Sequence, residues 1–262
     1  MATNPHHLDF SGPRLKAERA EHHIRHLDEI FKHFIHANPG RLMRKDKRDP
    51  RHPRASDLPR HTKTVLGDAV HNLRASLDHA WCELIRANDG TPINKSYFPF
   101  HRDRQAAKGS VNGHKPFGAV PSDKVIATIF DDIQPYEGGK GNLYGLHVLD
   151  RTDKHSGLIP ALRLMRVGTM HVHNESGELA QIWNDLTIIS PDGYQGDFIG
   201  IAEGWTATMH NANRKPAFDI CFAEGQPFEG ESILETITSL RNQVNAALNI
   251  LEGAAKGVIP CR

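Results

Sequence analysis

GDAVHNLRASLDHAW, residues 67–81, decides the fold class, because its apolar residues recur at helical spacing. Leu66, Ala69, Val70, Leu73, Leu77, Ala80, Trp81 and Leu84 fall on one side at about 100° per residue. The periodicity predicts a helix over 61–88, ended by Asn88-Asp89-Gly90. Its other side is unusual. Solvent faces favour long helix-forming side chains such as Lys, Glu, Gln and Arg. This one carries Asp68, His71, Asn72, Asp78 and His79. With Asp68 at zero, His79 lies within about 20°, Asn72 at about 40°, and His71 about 60° to the other side. Asp78 follows His71 at about 80°, with Arg74 beyond it. Gly67 and Ala75 keep this side small, so that another element can approach. Short, chemically capable side chains point to a site or to an internal hydrogen-bond network rather than to bulk water.

Working outward, Ala17, Ala20, Ile24, Leu27, Phe31 and Phe34 predict a first helix over 13–37, stopped by Asn38-Pro39-Gly40. Its histidines His22, His26, His33 and His36 lie mostly off the apolar stripe and read as surface residues. Residues 89–120 read as a long loop with room for one short strand, including SYFPFHRDR. A third helix is expected over 121–133, and a fourth over 142–156. The period then changes. LRLMRVGTMHVH, ELAQIWNDLTIIS, GDFIGIAEGWTATMH and AFDICFAE read as about four antiparallel strands, with NESG and PDGYQG as turns. ESILETITSLRNQVNAALNILEG restores a helical stripe over 229–253, with Gly253 as its cap.

Long helices with one apolar face need partners. The expected architecture is therefore α+β: a helical bundle core with an antiparallel β-sheet insertion before the C-terminal helix. The boundaries are 1–159 for the helical core with its basic loop, 160–224 for the β insertion, and 225–262 for a C-terminal helix returning to the core.

The 262 residues, 38% hydrophobic and 24% charged, have a globular composition. No apolar run approaches the roughly 20 residues of a membrane helix, and the N-terminus lacks the pattern of a signal peptide. Cytoplasmic residence without membrane association is expected. Cys82, Cys221 and Cys261 are widely spaced, which suggests packed thiols rather than a disulfide frame or a zinc clip. Net charge is +1, but residues 41–60 hold eight Lys/Arg against three Asp, a segment suited to phosphate or to solvent. Histidine is over-represented: 18 residues, eleven of them within the first 79 positions, including the pairs at 6–7 and 22–23. GxGxxG, P-loop and GxSxG patterns are absent, which disfavours nucleotide cofactors and serine hydrolysis.

Two chemistries suit the polar face. Helical bundles build metal sites from pairs at such spacing, with ligands from a facing helix. His71, Asp78, His79 and His155 form the candidate set for Zn, Fe or Mn, and HVLDRTDKH adds His147, Asp150 and Asp153 as further possible ligands. The alternative is metal-free RNA chemistry. Arg74-x4-His79 resembles the R-x4-6-H motif of the HEPN superfamily, small helical bundles that include many dimeric ribonucleases. The resemblance implies Arg74 as phosphate clamp, His79 as acid/base, no cofactor, RNA as partner and a homodimer joining two copies of the pair. Ala75 departs from the polar residue often found after the family's Arg, and the motif lies earlier in the core than is common. With the neighbouring His71 and Asp78, the expected catalytic set is Arg74, His79, His71 and Asp78. Asn72, Asp153, Lys154 and His155 are the expected substrate-binding residues. A wider pattern, GDAVHNLRASLDHAW followed by YFPF, IQPY and TDKH, resembles a group of uncharacterised bacterial and phage proteins with a GDxxHNLRxxLDH helix and a later DKH. It implies that the helix face and Asp153-Lys154-His155 share one site, and it brings no activity. A third possibility, a non-catalytic binding protein, leaves the face as a structural network.

Overall fold

A computed structural model describes residues 8–37, 57–165, 169–183, 206–210 and 217–257. The basic segment as far as residue 56, the histidine pair at 6–7, the PDGYQG turn and Cys261 lie outside the described residues. The element order is α1 (Ser11–Ala37), α2 (Thr62–Arg86), α3 (Arg104–His114), α4 (Asp123–Thr128), α5 (Leu143–Ser156), β1 (Pro160–Met165), β2 (Thr169–His173), β3 (Leu179–Trp183), β4 (Thr206–His210), β5 (Ala217–Phe222) and α6 (Ile233–Ala255). The fold is α+β with a helical core.

The chain forms two compact units, one of residues 1–27, 63–158 and 235–262, the other of residues 28–62 and 159–234. The first holds the helical core. The apolar stripes of its helices are buried: Ala17, Ala20 and Leu27 on α1, Leu66, Leu73, Leu77 and Leu84 on α2, Leu146 and Leu149 on α5, Leu240, Val244, Leu248 and Leu251 on α6. Polar contacts at the stripe margins fix the neighbours. Ser76 Oγ donates to the Pro13 carbonyl at 2.8 Å, joining α2 to α1. His71 meets Asp150 across α2 and α5. The Asn142 N–H at the head of α5 donates to Gln243 Oε1 of α6 at 2.7 Å. Arg14 of α1 donates to Asn249 and Glu252 of α6 at 3.0 and 2.5 Å, and Glu21 pairs with Arg241. Through these contacts the order α1–α2–α5–α6 closes on itself.

Three local readings need correction. The segment 89–120 is not a loop throughout: Asp103 caps α3, its Oδ1 accepting from Ala106 N at 2.8 Å, and a single 3₁₀ turn, Lys115–Phe117, follows. Ala107 and Val111 are the buried residues of α3. The expected helix at 121–133 is α4 continued by a π-turn over Ile129–Ile133, which buries Ile129, Phe130 and Ile133 and stops at Gln134 with φ 54°. The last helix begins at Ile233. Residues 229–232 bridge back to the end of β5 through Phe222–Glu229 and Cys221–Ser232, with Gly230 at φ 73°.

In the second unit the strands number five among the described residues, in two sheets. β1 pairs antiparallel with β5, from Pro160 opposite Phe222 to Met165 opposite Ala217. β2 is the centre of an antiparallel β3–β2–β4 sheet. The run read as one strand over 162–173 is divided between the two. The NESG turn closes β2 to β3: Asn174 Oδ1 accepts from Glu178 N at 2.9 Å, and Gly177 adopts φ 82°.

Cys82 and Cys221 are not joined by a disulfide, and burial pushes the Cys82 thiol up from its ordinary value. Among the described residues no helix is long and apolar enough to cross a membrane.

Leu77 is fully buried, whereas Leu15 is 62% exposed. Leu77→Ala is expected to cost about 2–5 kcal/mol, and Leu15→Ala no more than about 0.5 kcal/mol. Urea unfolding of the two variants beside the parent protein checks both values.

Candidate functional site

The polar half of α2 divides into two groups with different surroundings. The first is structural. Arg74 is buried, its guanidinium paired with Asp78 one turn on and lying 4.5 Å from the centroid of the Phe100 ring. The contact is ionic rather than an aligned hydrogen bond, since Arg74 Nε and Nη1 have no hydrogen-bond partner among the described residues. Asp78 Oδ1 also accepts from Phe98 N at 2.8 Å. Phe98 meets Trp81 and Phe100 edge-on, at 6.4 and 5.1 Å between centroids. Phe100 stacks on His147 of α5 at 5.5 Å with the rings nearly parallel. The YFPF segment is therefore held to α2 by one carboxylate and one cation, each used twice. Burial, then the Arg74 charge, lowers the His147 pKa to about 4. Its Nδ1 is buried without a hydrogen-bond partner among the described residues.

The second group faces α5. His71 Nδ1 lies 3.1 Å from Asp150 Oδ1, and Lys154 Nζ donates to Asp150 Oδ2 at 2.6 Å. The Asp150 side chain is 7% exposed and that of His71 53%, so a buried carboxylate orients an accessible imidazole. Gly67 makes room for Asp153: a Cβ at position 67 would come 2.7 Å from Asp153 Oδ1 and closer still to Oδ2. Burial raises the Asp153 pKa; the Leu158 N–H opposes this, while the charges of Asp150 and Asp68 add to it. On the opposite border Asn72 Nδ2 donates to the Asp68 carbonyl at 2.8 Å, and Lys16 Nζ of α1 comes within 3.5 Å of Asn72 Oδ1.

Of the expected site residues, His71, Asp153 and Lys154 thus gather around α5, with Asn72 at the border toward α1. Arg74 and Asp78 pair with each other beneath the YFPF segment. His79 and His155 are exposed and make no hydrogen bond or ion pair among the described residues. Arg74 and His79 are separated by about 140° around the helix, one turned inward and the other outward. The set His71, Asp78, His79 and His155 is not assembled: among the described residues no group of three or more His, Cys, Asp or Glu is disposed to hold a metal ion. Asp150 is the residue the sequence pattern under-weighted. Its signal is the spacing of His147, Asp150 and Lys154, three and four apart, which puts all three on the side of α5 turned to α2.

The motifs at 67–81, 97–100, 133–136 and 152–155 also meet in space. Gly67 lies against Asp153, Arg74 against Phe100 and Asp78 against Phe98, and Tyr136 bridges to His101. Comparison with known protein families, curated proteins and solved structures finds no match.

Two outcomes test the structural half. Arg74→Ala leaves Asp78 without its cation and is expected to destabilise the fold by about 3 kcal/mol, read by thermal or urea unfolding. For His147, the unfolded chain takes up a proton near the ordinary 6.5 and the folded chain only near 4. Its contribution to stability is therefore complete above about pH 6.5 and is lost as pH falls toward 4. His147→Phe is expected to flatten the stability profile across that window.

Proposed function

We propose that the chain is a metal-independent acid/base enzyme acting on a phosphodiester of the RNA type, with His71 as its proton-moving group. The observation that carries this reading is the His71–Asp150 contact: a buried carboxylate on Nδ1 fixes ring orientation and tautomer and leaves Nε2 to an accessible surface. Asp153, with its raised pKa, supplies a neighbouring carboxyl that holds its proton more readily than an ordinary aspartate. Lys154 adds a cation beside them.

In this reading His71 Nε2 takes the proton of the ribose 2′-hydroxyl as its oxygen attacks phosphorus. The bond from phosphorus to the 5′-oxygen breaks, and that oxygen takes the proton of the Asp153 carboxyl. A 2′,3′-cyclic phosphate and a 5′-hydroxyl result. Lys154 offsets negative charge building on the phosphoryl oxygens. Proton transfer by a positioned side chain contributes about 10²–10⁴-fold to such a step. Compared with the Arg74/His79 pair implied by the HEPN resemblance, the reading keeps the chemistry and moves the acid/base role to the histidine that a carboxylate orients. Arg74, enclosed by Asp78 and Phe100, keeps a supporting role.

The test is cleavage of an end-labelled oligoribonucleotide in EDTA. Cyclic-phosphate ends are expected, with no cleavage of the matching deoxyribonucleotide. His71→Ala is expected to lower the rate by about 10²–10⁴-fold, with Asp150→Asn following it and His79→Ala leaving the rate near that of the parent. Loss of activity on chelation, restored by zinc, iron or manganese, would overturn the proposal in favour of a metal enzyme.

A further inference from the structure

We infer that α1 carries a track for the backbone of a polynucleotide, so that the substrate is a polymer lying along α1 and crossing α2 at His71. The inference rests on the phosphodiester reading above and adds the footprint of the substrate. It begins with charge around one helix. With Lys16 at zero and about 100° per residue, Arg19, His23 and His26 fall within about 80° on one side of α1. The acidic residues of the same segment, Glu18 and Glu21, lie on the opposite side, where Glu21 is engaged with Arg241 of α6.

The basic side borders the site. Lys16 reaches Asn72, the residue after His71, and the Asp68 charge acts on His23. Pro13 against Ser76 and Lys16 against Asn72 set α1 antiparallel to α2. The stripe therefore runs alongside the strip that holds Asp68, Asn72, Ala75 and His79. Arg19 and His26 are exposed, while Lys16 and His23 are half-buried.

Charge balance makes this stripe necessary to the reading. With the Asp153 carboxyl carrying its proton, the His71 cluster holds two carboxylates, Asp68 and Asp150, against the single ammonium of Lys154. A phosphate chain approaching that cluster alone meets net repulsion. Lys16 and Arg19 provide the missing fixed cations, and the neutral imidazole of His23, held below its ordinary pKa by burial and by Arg19, provides a hydrogen-bonding group. From Lys16 to His26 the helix rises about 15 Å, more than one phosphate occupies. Basic residues tracking a backbone without reading bases is how non-specific single-strand binding is built.

The experiment measures binding of the full chain to a labelled, uncleavable 2′-O-methyl oligouridylate of twelve residues by fluorescence anisotropy across a salt series. Lys16→Gln/Arg19→Gln is expected to weaken binding about tenfold at moderate salt and to reduce the salt slope by about 1.4, the value for two phosphate contacts on a single strand. Arg19→Glu alone, at an exposed position, gives a second reading that does not depend on packing, and is expected to weaken binding in the same direction. Arg25→Glu, about 180° from Lys16 on α1, is the control expected to leave affinity unchanged. Affinity and slope equal to the parent's in both track variants overturn the track. If His71-dependent RNA cleavage persists in that case, the acid/base reading stands without it. If instead the parent binds the oligomer through Lys16 and Arg19 but cleaves no RNA, the track stands and the acid/base reading falls.

Discussion

Asp150 is a carboxylate taken out of water, and burying an unpaired carboxylate costs several kcal/mol. Its two oxygens meet that cost with two different partners, an imidazole from α2 and an ammonium from its own helix. The first partner fixes where α5 sits on α2; the second is a local i,i+4 pair that any rotation of α5 would keep. The His71 contact is therefore one marker of the register of the two helices. Gly67 one turn earlier on α2 agrees with that register, because only a residue without a side chain lets Asp153 come down beside it. Site and packing meet here: the carboxylate that orients the imidazole also joins the two helices.

A second polar pair, Arg74 with Asp78, lies along the same face and does a different job. A guanidinium laid on an aromatic face keeps its charge with little hydration, which suits Arg better than Lys. Asp78 splits its bonding between that cation and the Phe98 N–H, so the YFPF segment is tied to α2 by its backbone and by its ring at Phe100. His147 extends the stack to α5, and burial, with the Arg74 charge adding to it, lowers its pKa to about 4. The five short polar residues that make α2 look unlike a solvent face thus have separate explanations. Asp78 is a structural anchor, His71 is oriented toward solvent by α5, Asp68 and Asn72 border α1, and His79 is exposed.

The helices were legible because burial on one side writes a period into the chain. Leu66, Leu73, Leu77 and Leu84 are buried as the spacing required, as are Val244, Leu248 and Leu251 on α6. α3 escaped for the opposite reason: with two glycines and only Ala107 and Val111 buried, it has no stripe to read, and its one local sign is the Asp103 cap. The start of α6 was read too early because Ile233 continues a stripe that the bridge of residues 229–232 to β5 cuts short. The division of 162–173 between two sheets is a matter of pairing partners far along the chain, such as Pro160 with Phe222, and alternation along one segment does not encode its partner.

Within the site, sequence spacing identified the face but not the roles. Helical angles put Arg74, Asp78 and His71 on adjacent positions, and nothing in those angles separates an inward guanidinium from an outward imidazole. That distinction is made by what the other elements bring: an aromatic ring from residue 100 opposite position 74, and a carboxylate from α5 opposite position 71. Arg74 accordingly meets an electron-rich surface and closes over it, while His71 meets an anion at one nitrogen and keeps the other for solvent. The same helix face can hold both because Ala75 stands between the two turns and occupies almost no space. A larger residue there would cover the strip between His71 and Asn72.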